Sequence, residues 1–316
     1  MVYQFEEINV QINRWVVLII TLFSILGNMV NIAVFLRPVF NHHVCSWYLL
    51  ALATNNCLYS VTVLVYRILT DGFQIQIFSN SFSVCQFISF MNTFCTGLSH
   101  YLIVFTAIDR WSASSTNVRH SRFNSFQVMP WSVLTILVFC AVVAVSSAVV
   151  TELGATDGLG CSIRATTIYN QFYLIVQLVL FAIIAPILMI IFTLLTIQNR
   201  KMTGDLPITV SRCRKMEYHL TQIFFLLVTV HIMLNLLEWI EYLILFRPNM
   251  FGSCMLIQTM IRIPIYASFA VPIVWYLILG IEFRRELGKM IPILAPLFGR
   301  IQINTTVNND VEAHVY

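Results

Sequence analysis

The sequence predicts an all-α integral membrane protein, a bundle of seven transmembrane helices followed by a short amphipathic helix on the membrane surface. Three observations carry that prediction. First, 59% of the 316 residues are hydrophobic and only 10% are charged, with a mean hydropathy of +0.82. A soluble domain carries about 25% charge, so most of these residues face lipid or packed helices. Second, the apolar residues fall in seven continuous runs, near 15–37, 46–68, 84–108, 128–150, 170–197, 219–245 and 255–280. Each is long enough to cross a bilayer with some tilt. The runs do not alternate, whereas a barrel would need ~10-residue dyad patterns, so sheets are not expected. Third, Lys and Arg are placed asymmetrically. With the N-terminus outside, thirteen of the 18 lie on the cytosolic side. These are Arg37, Arg110, Arg119, Arg122, Arg200, Lys201, Arg212, Arg214, Lys215, Arg284, Arg285, Lys289 and Arg300, while Arg14, Arg67, Arg164 and Arg247 lie outside and Arg262 within a span. The positive-inside rule then sets N-terminus out and C-terminus in. The net +4 charge needs no nucleic-acid partner, because its excess sits on the cytosolic face.

The chain reads as an outer N-terminus over 1–14, a seven-span domain with its surface helix over 15–290, and a cytosolic tail over 291–316. Glu6, Glu7 and Arg14 precede the first span, so no cleavable signal peptide is expected and that span serves as the targeting signal. The third span holds Cys85 at its start and Asp109-Arg110-Trp111 at its end, 25 residues apart from Cys85 to Arg110. A helix covers that interval in roughly 37 Å, somewhat more than a ~30 Å hydrocarbon core. One helix thus carries a cysteine on one side of the membrane and an acid–arginine pair on the other. Cys85 and Cys161 face the oxidising side and Cys254 lies near it. Cys57, Cys95 and Cys140 fall within spans, Cys45 and Cys213 near the cytosol, as small packing residues. The loops are short, and the 199–218 segment is the longest cytosolic one. The polar stretch 301–316 reads as disordered. Its Asn304-Thr305-Thr306 sequon would lie in the cytosol, where glycosylation does not occur. Ile281-Glu282-Phe283-Arg284-Arg285-Glu286-Leu287 is patterned as an amphipathic surface helix, or as the frayed end of the seventh span.

Taken in order, several of these residues resemble the rhodopsin-like family of G-protein-coupled receptors. Gly27-Asn28 in the first span is similar to the family's Gly-Asn pair. Leu52-Ala53-Thr54-Asn55-Asn56 resembles its Leu-Ala-x-x-Asp, with Asn56 in place of the acid. Cys85, Ser99 and Asp109-Arg110-Trp111 match the third span, Trp131 the fourth, Cys161 the loop cysteine, and Pro186 the fifth-span proline. The sixth span departs: Leu234-Asn235-Leu236-Leu237 stands where Cys-Trp-x-Pro is expected. The seventh has Val271-Pro272-Ile273-Val274-Trp275-Tyr276 for Asn-Pro-x-x-Tyr, with Trp275 or Tyr276 as the aromatic. The chain is similar to a divergent invertebrate member nearest the peptide-receptor branch.

The resemblance implies roles for these residues. Cys85 and Cys161 would form a disulfide tying the third span to the outer loop 151–168, which carries Glu152, Asp157 and Arg164. Arg110 would pair with Asp109 and with Glu217, clamping the third and sixth spans until activation opens a cleft for a G protein. Otherwise these charges merely flank the membrane edge. Asn28, Asn56 and Ser99 would form a mid-membrane polar patch. Without a carboxylate it suits water-bridged amides rather than sodium, since hard cations favour charged oxygens, and helix–helix contact is an equally good reading. Pro186, Pro272, Trp275 and Tyr276 would transmit the change. His100 and His231 replace apolar residues packed on Pro186. They are satisfied core histidines, a hydrogen-bonded pair, or a proton-sensitive or metal-sharing pair. The ligand pocket would open outward among the third, fifth, sixth and seventh spans. Asn92 stands where amine receptors carry an aspartate, which disfavours a monoamine. Glu238 and Glu241 share a helix face and, with Tyr242 and Arg262, would bind a charged peptide group. Glu238 could equally pair with Arg262.

These features favour a plasma-membrane receptor for an extracellular peptide or small molecule that activates a heterotrimeric G protein. A transporter or channel subunit is the alternative, although no inverted repeat or charged pore ring stands out. A signalling-deficient decoy is another. No phosphate loop, metal-ligand cluster or nucleophile–base pair points to an enzyme or a cofactor.

Overall fold

A computed structural model of the chain describes residues 2–75, 81–115, 125–154, 160–163, 168–203, 225, 227–234 and 255–292. Five helices are long and apolar enough to cross a membrane: Glu6–Phe35, Val44–Gly72, Phe82–Ser114, Met129–Val150 and Gln171–Asn199. The pair Thr259–Ala270 and Pro272–Ile278, bent by 47°, makes a sixth if counted as one span; it falls on the seventh apolar run of the sequence and takes the label seventh span from that run alone. Of the expected run 219–245, only 225 and the helical stretch 227–234 are described. A membrane architecture of helical spans therefore stands, with five or six spans among the described residues.

The first helix, Val2–Phe35, begins well before the expected span and covers about 51 Å. Its two faces explain its placement. Trp15, Ile19, Leu22, Leu26 and Met29 are exposed at helical spacing, as a lipid-facing stripe requires. Val17, Thr21, Ser24, Asn28, Asn31 and Phe35 recur on the opposite face and are buried. Polar residues thus turn inward and apolar ones outward, as suits a helix solvated by lipid. Pro38 starts the short helix Pro38–Asn41 that reverses the chain.

The second span starts as Val44–Tyr59 and widens through π-helical turns over Ser60–Leu64 and Ile68–Gly72. Its end leans on the first helix. Arg14 Nε donates to Gly72 O at 3.0 Å, and a Cβ on Gly72 would lie 2.9 Å from Arg14 Cα. The third span, Phe82–Ser114, is the central one and packs against the second, fourth and fifth. Met129–Val150 turns Cys140, Ala144 and Ser147 toward it and exposes Trp131, Leu134, Val138, Val142, Val145 and Val149. The fifth span runs as Ile168–Gln177, a π turn over Leu178–Ile184, and Ala185–Thr203. Tyr101 OH donates to Leu180 O in that turn at 3.2 Å.

One local sheet corrects the expectation of none. Thr151–Gly154 and Gly160–Ile163 pair antiparallel, with Leu153 opposite Cys161. Glycines end and start the two strands, and a hairpin of four-residue strands leaves no hydropathy signal among long apolar runs. Beyond the seventh span, Gly280 breaks the helix and Ile281–Met290 continues as the expected amphipathic helix.

Among the described residues two apolar clusters fill the interior. One lies toward the Arg110 end and includes Phe35, Leu52, Leu102, Ile273 and Tyr276. The other lies toward the Cys85 end and includes Val17, Tyr59, Met91, Ile265 and Phe269. Between them, at Ser24–Asn31, Asn55–Asn56 and Ser99, the interior is polar.

Candidate functional site

At one end of the third span Asp109 and Arg110 are both 3% exposed. Arg110 Nη2 and Nε donate to Asp109 Oδ2 at 2.7 and 3.2 Å. Adjacent residues on a helix point about 100° apart, so the guanidinium folds back to reach its neighbour. A buried cation of this kind is stabilised only while paired. Around the pair, Trp111 packs on Phe192 with ring centroids 5.4 Å apart, and Asn199 Nδ2 donates to Ser114 Oγ at 3.3 Å. Glu217 lies outside the described residues, as do Asn235, Glu238, Glu241 and Tyr242.

The mid-depth polar residues meet in two linked groups rather than one. Ser99 Oγ donates to Asn56 Oδ1 at 3.0 Å, while Asn55 Nδ2 donates to Ser99 Oγ at 2.8 Å and to Cys95 O at 2.8 Å. Asn28 does not touch Asn56 or Ser99 through these bonds. Its Nδ2 donates instead to Ser24 O at 2.8 Å and to Phe269 O at 2.9 Å. A serine relay joins the groups. Ser24 Oγ and Ser60 Oγ lie 2.7 Å apart, a bond in which either hydroxyl can donate, and each also reaches a carbonyl, Phe269 O at 3.3 Å and Asn56 O at 2.8 Å. The acceptors are neutral throughout. Asn55, Ser24 and Ser60 were not anticipated, and single hydroxyls inside apolar runs give no periodic signal.

His100 and His231 do come together. Their rings meet edge to face, with centroids 4.6 Å apart and an interplanar angle of 69°. His100 Nδ1 lies 2.7 Å from Thr96 O. A carbonyl only accepts, so this nitrogen carries the proton. Phe181 completes the packing, 6.1 Å from His100, and Pro186 is buried nearby in sequence. A small cavity of about 10 Å³ opens beside His231, lined also by Asn56, Ser99, Ser268 and Pro272. That volume is on the scale of one water molecule. Among the described residues no three His, Cys, Asp or Glu side chains converge on a metal position. The ring contact is the kind that an aromatic carbon ring also makes. His231→Phe should therefore leave the pH profile of any cellular response unchanged between about pH 5 and 7, around histidine's reference value. A profile that flattens in His231→Phe would show that the pair senses protons.

At the opposite end, Cys85 is fully buried and disulfide-bonded. Cys45, Cys57, Cys95 and Cys140 are not in disulfides. The side chain of Cys161 is outside the described set, but its strand packs against the third span. Asn92 is exposed and accepts from Tyr59 OH at 3.3 Å. Tyr59 stacks on Phe269 with centroids 3.9 Å apart, so Asn92 sits above an aromatic floor linking the second and seventh spans. Arg262 lies on the seventh span, while Arg67 and Asp71 of the second pair at 3.3 Å. The Arg67–Asp71 pair was not anticipated.

Past the Pro272 bend, Tyr276 is buried and packs on Phe35 and Phe283, with ring centroids 5.2 and 5.4 Å away. Trp275 is half-buried. Tyr276, not Trp275, is thus the aromatic locked to the surface helix. Arg284, expected as a surface charge, is 3% exposed. Its Nη1 donates to Leu277 O at 2.9 Å and Ile278 O at 2.6 Å, capping the end of the seventh span where carbonyls lack intrahelical donors. Glu286 is buried too and gathers Lys289 at 2.5 Å, Arg37 at 3.5 Å and Arg285 at 3.9 Å. Burial alone would raise its carboxyl, but Lys289, Arg37 and Arg285 outweigh that and hold it below the ordinary range. A depressed carboxyl stabilises the fold above its unfolded value of about 4.3, and the contribution is lost as pH falls through the folded value. Glu286→Gln should lower Tm in detergent by about 2–4 °C at neutral pH, the equivalent of roughly 1 kcal/mol for a chain of this size. The gap should close below about pH 4. A gap that persists there would mean the charge is not its source.

Compared with known proteins, the chain matches no family model and has no significant match to a curated protein. The case for function therefore rests on the buried Asp109–Arg110 pair, the polar layer above it and the disulfide-bonded Cys85 at the far end of the same helix.

Proposed function

We propose that the protein is a rhodopsin-like G-protein-coupled receptor. It sits in the plasma membrane with the N-terminus outside and the C-terminus in the cytosol. It binds an extracellular ligand of the peptide class and promotes nucleotide exchange on a heterotrimeric G protein. The observation that carries this reading is the buried Asp109–Arg110 ion pair at one end of the central helix, opposite a disulfide-bonded cysteine at the other. The Lys and Arg bias supports placing Arg110 in the cytosol. Cys161 is the partner assigned to Cys85, because its strand packs on the helix that Cys85 opens. Asn92, Arg262 and the helix-six residues Glu238, Glu241 and Tyr242 would line the ligand site. Glu217 would complete the clamp on Arg110.

In this reading a ligand at the Cys85 end shifts the populations of two helix arrangements. The Arg110 end opens in the one that the G protein binds. The test is a reporter assay in cells co-expressing a promiscuous G protein, challenged with peptide pools. A G-protein-dependent response supports the receptor. An ionic current that needs no G protein would replace it with a channel.

A further inference from the structure

Asn31 is a buried amide that the function described so far does not use. It is 1% exposed, yet neither Nδ2 nor Oδ1 has a hydrogen-bond partner. Trp275 Nε1 is also buried and unbonded. Such groups are rare in folded interiors and call for an explanation, the more so in a membrane, where lipid offers no partner.

Their positions along the two helices match. One turn before Asn31, a Cβ on Gly27 would lie 2.7 Å from Ile273 Cγ2, and Asn28 donates to Phe269 O. One turn after it, Phe35 packs on Tyr276. Asn31 is therefore level with residues 273–276, the stretch that holds Trp275. Their chemistry is complementary, since an indole nitrogen only donates and an amide oxygen accepts.

We propose that Asn31 Oδ1 accepts a hydrogen bond from Trp275 Nε1–H in a second arrangement of the seventh span, reached when the part beyond Pro272 turns about its bend. The pivot is built into the backbone. Pro272 has no N–H to give Ser268 O, and Val274 N–H turns to Val271 O at 2.9 Å. The part before the bend is held to the first span by Asn28 on Phe269 O. Beyond the bend, the first span is met by Ile273 against Gly27 and by Phe35 on Tyr276, apolar contacts without a hydrogen bond to fix them. The indole–amide bond latches the rotated state and satisfies two groups that the present state leaves bare. That the latched state is the signalling one rests on the receptor reading.

The experiment uses full-length protein in nanodiscs, labelled with [15N]tryptophan. Six tryptophans give six indole resonances, and Trp275→Phe assigns one by its loss. The wild type should show a second Trp275 resonance that gains population when nucleotide-free G-protein heterotrimer is added. Asn31→Leu should remove it and leave the other five in place, which shows that the fold is kept. A single Trp275 resonance under both conditions overturns the proposal, whether or not the protein signals. So does a second resonance that survives in Asn31→Leu. In the reporter assay Asn31→Leu and Trp275→Phe should each lower basal signal at least threefold, and the double variant no further. A wild type with no G-protein signal would sink the receptor reading alone.

Discussion

In the proposed receptor, Asp109→Asn is expected to raise ligand-independent signalling on the order of tenfold. Arg110 gives two donors to Asp109 Oδ2, and a hydrogen bond to a charged group contributes about 1.5–3 kcal/mol. A shift of about 1.4 kcal/mol changes an equilibrium tenfold. Asparagine keeps the shape and one acceptor but not the charge, so Arg110 is released from the resting pair. Arg110→Ala should act in the opposite sense and silence the response. It also leaves Asp109 buried without its cation, a loss of about 3–5 kcal/mol, so surface protein must be quantified alongside signalling. Equal basal activity in wild type and Asp109→Asn, at matched surface levels, would show that the pair does not restrain Arg110.

The second large effect concerns packing. A Cβ on Gly97 would lie 2.7 Å from Phe181 Cζ. Phe181 is buried and hemmed in by His100 and Tyr101, with ring centroids 6.1 and 6.0 Å away, so the ring cannot simply swing aside. Gly97→Ala should cost about 1–3 kcal/mol, the usual penalty of overpacking, and should be read as a lower Tm in detergent. Adding Phe181→Leu should recover part of the loss, because the shorter side chain clears the new methyl. If Gly97→Ala melts with the wild type, the third and fifth spans are not in contact there.

Much of the fold was legible because membrane spans announce themselves by length. The runs over 84–108 and 128–150 became Phe82–Ser114 and Met129–Val150. The start of the first helix was not legible. Gln4, Glu6, Glu7, Asn9 and Gln11 look like an outer segment to a hydropathy reading, but a helix continues past the membrane whenever its backbone bonds are kept. The site was legible in part. The pairing of Asp109 with Arg110 and a contact of His100 with His231 were among the readings that the family resemblance offered. The relay through Ser24 and Ser60 was not, since it depends on which helix faces are apposed. Arg284 was misread for a similar reason. Its amphipathic pattern says surface, whereas the carbonyls at the broken end of the seventh span draw its guanidinium inward. Glu217, Asn235, Glu238, Glu241 and Tyr242 lie outside the described residues.

The most direct test of a receptor that activates a G protein is nucleotide exchange on a purified heterotrimer, with the full-length protein reconstituted in vesicles. Wild type should accelerate binding of a non-hydrolysable GTP analogue over empty vesicles. Asp109→Asn should accelerate it further, and Arg110→Ala should return it to the empty-vesicle rate. Exchange that is equally fast with wild type, Arg110→Ala and empty vesicles, across representatives of each G-protein class, would contradict the assignment.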